Sequence, residues 1–369
     1  MHHDFIPEHG HISLDELLRG LHHHQSAIRF MQTDLISDGA VPAENTDPNL
    51  VNPWGVAFSP TGPIWVSDNG AGVTTIYNGT GAPVAAAGHT VIGIPSPPGQ
   101  TDPSTPTGQV FNSTTGFTVS EGSVTAPAVF IFATEDGTIS GWSPTVNSGN
   151  AILKVDNSGN GAVYKGLALL NTNGTPTLYA ANFHAGTVDM FDQSFTQTGS
   201  FTDPFLPANY APFNVQALNG KLFVTFAQQD DAGHDDVAGA HHGFVDEFSP
   251  DGHLLNRIAS GGPLDSPWGL AIAPASFGKL AGDLLVGNFG DGTINAFDLS
   301  NDKFMGKLLG GDGKPVTIDG LWALTPGNGG TAGDSNTLFF TAGLNGEKDG
   351  LFGSLTPQTP SIHGMASGY

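Results

Sequence analysis

The sequence predicts an all-β fold, a six-bladed β-propeller closed by pairing an N-terminal strand with the last blade. Three observations carry this: a composition of short strands and tight turns, an internal repeat, and a final unit one strand short. The 369 residues include 52 Gly and 26 Pro, with only 12% charged and 38% hydrophobic residues. Such a chain punctuates strands with turns rather than building packed helices. Phe, Trp and β-branched residues recur along its whole length, which argues for a large buried core and against disorder.

The repeat is legible in its openings. Asn52-Pro53-Trp54-Gly55-Val56-Ala57 is echoed by Ser266-Pro267-Trp268-Gly269-Leu270-Ala271 and more loosely by Asp319-Gly320-Leu321-Trp322-Ala323-Leu324. Each is followed by apolar strands and turns, as in Ile64-Trp65-Val66-Ser67-Asp68-Asn69-Gly70 and Leu284-Leu285-Val286-Gly287-Asn288-Phe289-Gly290. Phe130 to Ile139, Leu178 to Val188 and Leu222 to Phe226 supply three further copies. A spacing of roughly 45 to 65 residues suits four-stranded blades with loop insertions. A blade is apolar on both faces, so it is stable only against its neighbours.

The last copy runs out near Leu355 with three strands, whereas Phe30 to Ser37 is strand-like and precedes the first opening. Pairing the two removes an exposed edge and locks the ring. Residues 30–357 are therefore assigned to the propeller, flanked by a His-rich extension over 1–29 and a tail over 358–369. Residues 95–125, rich in Pro, Ser, Thr and Gly, are expected to form a long excursion, and 228–243 a second insertion. In the extension, Ser13 and Glu16 are spaced as a capping box and Leu14, Leu17, Leu18 and Leu21 form a stripe, which predicts a short helix. That stripe is expected to dock on the propeller or, making a homo-oligomer, on a neighbouring subunit.

Charge excludes some partners. Eleven Lys plus Arg against 34 Asp plus Glu give a net charge of -23, which repels nucleic acid and anionic membranes. The same carboxylates suit hard cations such as calcium, or serve solubility alone. The sequence holds no Cys, so disulfides, thiolate metal sites and a Cys nucleophile are excluded. It also has no apolar run of about 18 residues of the kind that spans a bilayer as a helix. The first 30 residues lack the basic start and apolar stretch of a secretory signal.

With Thr134-Glu135-Asp136-Gly137, Ala181-Asn182-Phe183-His184, His234-Asp235-Asp236-Val237-Ala238-Gly239 and Thr341-Ala342-Gly343, the openings resemble an uncharacterised bacterial β-propeller family. Its members are typically exported and some carry PEP-CTERM sorting signals. The resemblance implies a propeller and an extracellular or periplasmic address, and it supplies no reaction.

In a propeller the loop after each blade's second strand reaches one mouth of the central channel. Aligning the repeats places Asn69, Glu135, His184, Gln228, Asn288 and Asn345 there. These residues either hold a divalent ion or hydrogen-bond neighbouring blades. The stretch from Gln228 to His242 packs four carboxylates and three imidazoles, which is the composition of a metal loop and equally of a solvated acidic one. The candidate metal ligands are Glu135, His184, His234 and Asp235. A second candidate, for copper, nickel or zinc, is the set His2, His3, His9, His11, His22, His23 and His24. No complete catalytic set is visible. The sequence thus leaves two functions open: an acidic scaffold for binding or assembly, or a metal-dependent lyase or hydrolase with His184 as acid or base.

Overall fold

Both faces of the strands in the middle of each blade are apolar because each such strand serves two interfaces. In Thr175–Asn182, Leu178 and Ala180 pack on one side while Tyr179 and Ala181 pack on the other. Leu284 and Val286 likewise face away from Leu285. This is the period-2 alternation of a strand buried on both faces. Its consequence is a stack of sheets rather than one sandwich.

The computed structural model describes residues 27–358. Blade 1 comprises Pro53–Ala57, Ile64–Asp68, Val73–Tyr77 and Val91–Gly93. Blade 2 comprises Pro106–Phe111, Phe130–Thr134, Thr138–Trp142 and Ile152–Asp156. Blade 3 comprises Tyr164–Thr172, Thr175–Asn182, Thr187–Phe191 and Gln197–Phe201. Blade 4 comprises Tyr210–Leu218, Lys221–Gln228, Phe244–Phe248 and Leu254–Ser260. Blade 5 comprises Pro267–Ile272, Leu284–Asn288, Ile294–Asp298 and Lys303–Lys307. Blade 6 takes Leu321–Pro326, Leu338–Ala342 and Leu351–Pro357 and is completed by Arg29–Ser37.

That closing strand runs antiparallel to Leu351–Pro357, with Phe30 opposite Pro357 and Ser37 opposite Leu351. Early and late chain thereby share one sheet. Among the described residues the apolar core is divided accordingly. Six clusters fill the gaps between successive blades, and a seventh lies on the axis.

The structure corrects one sequence expectation. Residues 95–125 are not simply an excursion, because they contain Pro106–Phe111, the innermost strand of blade 2. Its opening, Pro106-Thr107-Gly108, lacks the Trp that marks three other blades. The true insertion is the hairpin of Thr118–Glu121 with Val124–Pro127. The short helix and the His cluster expected near the N-terminus fall on residues 1–26, outside the described residues.

Candidate functional site

The innermost strands converge on the axis, and each carries a register shift against its neighbour at the same level, as at Pro53/Val56, Tyr164/Leu167, Pro212/Asn214, Pro267/Gly269 and Leu321/Leu324. A bulge bends a strand and re-aims its side chains. Here the layer at the bulge is Trp54, Thr107, Lys165, Phe213, Trp268 and Trp322, one residue from each blade.

Four of these six are aromatic, and they close the channel. Trp54 and Trp322 stack at 3.6 Å between ring centroids, and Trp268 meets both edge-on at 5.7 Å. Phe289 stacks on Trp322 at 3.9 Å, and Phe213 lies 5.9 Å from it. The Trp322 indole N–H donates to Asn52 Oδ1 (2.9 Å), and that of Trp268 donates to the Lys165 carbonyl across the ring (2.9 Å). The next residues inward along the strands include Gly55, Gly108, Gly166 and Gly269, where a Cβ would overlap backbone or side-chain atoms of the adjacent inner strand. The Trp-Gly openings are thus an axial stopper followed by the close approach it requires.

Lys165 stands in the position that Trp occupies in three blades. Its side chain is 2% exposed, and its Nζ lies 2.7 Å from Glu135 Oε2 and 3.5 Å from Asp235 Oδ1. The ammonium also sits 5.3 Å from the Trp54 ring centre and 5.4 Å from that of Phe183. Burial works against its charge, yet the Coulomb attraction and hydrogen bond of Glu135, reinforced by Asp235 and Asp236, raise its pKa above the ordinary value. It is therefore a fixed internal cation.

A polar chain spreads from this ion pair. Glu135 Oε1 accepts from Asn69 Nδ2 (2.8 Å), Asn69 Oδ1 from Asn52 Nδ2 (3.1 Å), and Asn52 Nδ2 also reaches Glu347 Oε1 (3.1 Å). Glu347 is presented by three successive left-handed residues, Asn345, Gly346 and Glu347, at φ 56°, 66° and 68°. Such backbone is strained for the two non-glycine residues. Above the ion pair lies the loop that follows Gln228. Burial pushes the Asp236 carboxyl above the usual range, outweighing the pull of Lys165. Asp235 moves the other way: burial opposes its charge, but the hydrogen bond from His234 and the nearby Lys165 hold it low.

The structure brings together three of the four proposed ligands. Ligand atoms of Glu135, His234 and Asp235 all lie within 4.8 Å of one another, with His234 and Asp235 exposed. His184 stands apart from that trio, its Nδ1 3.3 Å from the Gly233 carbonyl. Asn288 is buried and donates to the Pro263 carbonyl (2.8 Å), so it ties a loop down, and Asn345 donates to Asp349 (2.8 Å). Sequence reasoning missed Lys165, Asn52 and Glu347, and it named Asp236 only as one carboxylate of the acidic stretch. Lys165 had a signal: Tyr164-Lys165-Gly166 matches Pro53-Trp54-Gly55 and Pro267-Trp268-Gly269 position for position.

No family profile matches the chain. Two proteins of Acanthamoeba polyphaga mimivirus are similar over most of it. Uncharacterized protein L690 is 33% identical over 334 residues, covering 87% of this chain and 84% of that protein. Uncharacterized protein R648 is 33% identical over 331 residues, covering 87% and 78%. These relatives correct the expected bacterial exported family with PEP-CTERM members. The physical reason is that Trp-Gly openings and Asp-Gly turns answer to the geometry of a closed ring, so they do not report the source of the chain. Among solved structures, a streptogramin B lyase has the same fold, with a TM-score of 0.50 at 8% identity over 90% of this chain and 98% of that one.

Proposed function

The chain belongs to the family of the mimivirus proteins L690 and R648, and we propose that it is a binding or assembly protein, an acidic propeller scaffold offering its upper mouth to a basic partner. One observation carries this reading: both oxygens of Glu135 are already engaged, by Asn69 and Lys165. The deepest acid of the mouth is thereby committed to holding the fold. The overlying loop is different, since it exposes Asp231, His234 and Asp235 to solvent. An acidic rim over a neutralised floor suits capture of a cationic surface.

A hexalysine peptide is the probe. Replacing Asp231 and Asp235 by Asn should weaken its binding at moderate salt several-fold more than the equal-charge control Asp312→Asn with Asp334→Asn. Equal losses would mean that net charge alone attracts the peptide, and the mouth would have no special role. Assembly through residues 1–26 belongs to the same reading, and an unchanged mass in solution after their deletion rejects it.

A second reading, a divalent metal at the mouth serving lyase or hydrolase chemistry, is favoured by the 4.8 Å grouping of Glu135, His234 and Asp235. Their imidazole and carboxylates suit zinc, copper or calcium. Such an ion, when bound, would supply a Lewis acid, and Lys165 would have to yield its share of both carboxylates. Calorimetric titration with calcium and zinc decides. One equivalent bound by the parent and lost in His234→Ala supports the metal; no binding by the parent retires it.

A further inference from the structure

The channel continues on the other side of the aromatic stopper. A cavity of about 230 Å³ is lined by residues that follow the stopper layer along the inner strands, with Trp268 as its one wall from blade 5. Every residue lining it is uncharged. In a chain of net charge -23 this matters, because a bare ion entering here would lose hydration without meeting a counter-charge.

The walls are nevertheless polar. Each innermost strand is the edge of its sheet, so its free edge turns backbone N–H and C=O groups toward the axis. Three side-chain amides reach between blades and are fixed by the carbonyls they serve. Gln109 Nε2 donates to Gly55 (3.3 Å), Asn214 Nδ2 to Trp268 (2.7 Å) and Gln216 Nε2 to Leu270 (2.8 Å). Gln109 is only 5% exposed, and its Oε1 has no partner. That acceptor is itself closed to solvent, so what the chamber offers a ligand is the free strand edges and the partly exposed amide of Gln216. Against this polar set stand the indole of Trp268 and the aliphatic flanks of Val56, Leu169 and Leu324.

A ligand matching these walls is uncharged, carries groups that both donate and accept, and has an apolar C–H face. Its size is limited as well: the cavity has the volume of about eight water molecules and is smaller than the roughly 300 Å³ at which drug-sized pockets begin. We infer that the lower chamber is a binding site for a small neutral polyol of monosaccharide size. It is separate from the upper mouth, so it stands or falls independently of the binding function proposed there.

The test uses the full chain with glucose, myo-inositol and glycerol as probes, followed by saturation-transfer NMR and calorimetry. At least one should bind the parent protein. Gln216→Leu should weaken it roughly tenfold, the loss of one hydrogen bond, and Ala217→Phe should abolish it by filling the lower end. His234→Ala, at the other mouth, should bind like the parent. Failure of all three probes to bind the parent overturns the inference, as does parent-like binding by Ala217→Phe. Should Ala217→Phe not fold, Gln216→Leu decides alone, and undiminished affinity in it has the same consequence.

Discussion

The two ends of the central channel share one ring of six inner strands, yet the loops at one end and the strand residues at the other carry opposite chemistry. The upper mouth gathers Glu135, Asp235, Asp236 and Glu347 around the single ammonium of Lys165, whereas the lower chamber is lined by uncharged groups alone. Between them lies one layer of aromatic rings. The difference teaches that a ring of near-identical units can separate two environments with a single layer of side chains, because each strand contributes one residue to each level. The packed rings act as a physical partition between the two sides, not as an electrostatic screen, since a low-dielectric layer screens charge less than water does.

The comparison is broken most severely at the partition. Trp322 is buried, stacks on two rings and holds Asn52. Trp322→Ala should therefore cost about 4 kcal/mol in urea unfolding, and it should join mouth and chamber, read as loss of near-ultraviolet circular dichroism from the indole stack. A loss below 1 kcal/mol would mean that the rings do not support the ring of blades.

Next in size is the mouth's own cation. Lys165→Met leaves Glu135 buried at 10% exposure without its partner, a change expected to cost about 3 kcal/mol. Unfolding midpoints at neutral pH check this, and a variant as stable as the parent would show that Lys165 is dispensable to the mouth.

Gly108→Ala probes the tight layer just beneath the stopper, where its Cβ would overlap the Leu167 amide and the Gly166 backbone. Overpacking of this kind should cost about 2 kcal/mol. Gly122→Ala meets no atom within 4 Å but adopts φ 60°, so a control is better taken at Gly199, which has open space and no left-handed backbone. A thermal melt in which both variants match the parent would refute the close-approach account.

The smallest effect concerns protons. Asp236 has a raised pKa in the folded protein, so it binds its proton more tightly folded than unfolded. Its contribution is present at low pH and is lost as pH rises from the ordinary carboxylate range through the raised value. Asp236→Asn should flatten that decline, measured as urea midpoints from pH 4 to pH 8. An unaltered slope would place the decline elsewhere.

Much of this was legible in the chain itself. Trp54, Trp268 and Trp322 announced repeating units, and Phe30 to Ser37 announced the closing strand, because strand periodicity and an unmatched edge are local properties. Blade 2 was harder to see, since Thr107 fills the Trp position and the strand sits in a Pro-rich stretch. Of the mouth, the second-strand loops led to Glu135 and the acidic run led to His234 and Asp235. His184 was assigned to the same group by alignment, but its ring turns to the Gly233 carbonyl.

The sequence by itself determined the kind of element, the number of repeats and the means of closure, for these follow from alternation, turn chemistry and the need to pair an edge. Only the tertiary structure decided that Lys165 takes the place of a ring in the axial layer, that Glu347 arrives from the last blade, and that an uncharged chamber lies beyond. Those facts depend on residues far apart in the chain meeting across an axis, and no local pattern encodes a distance between blades.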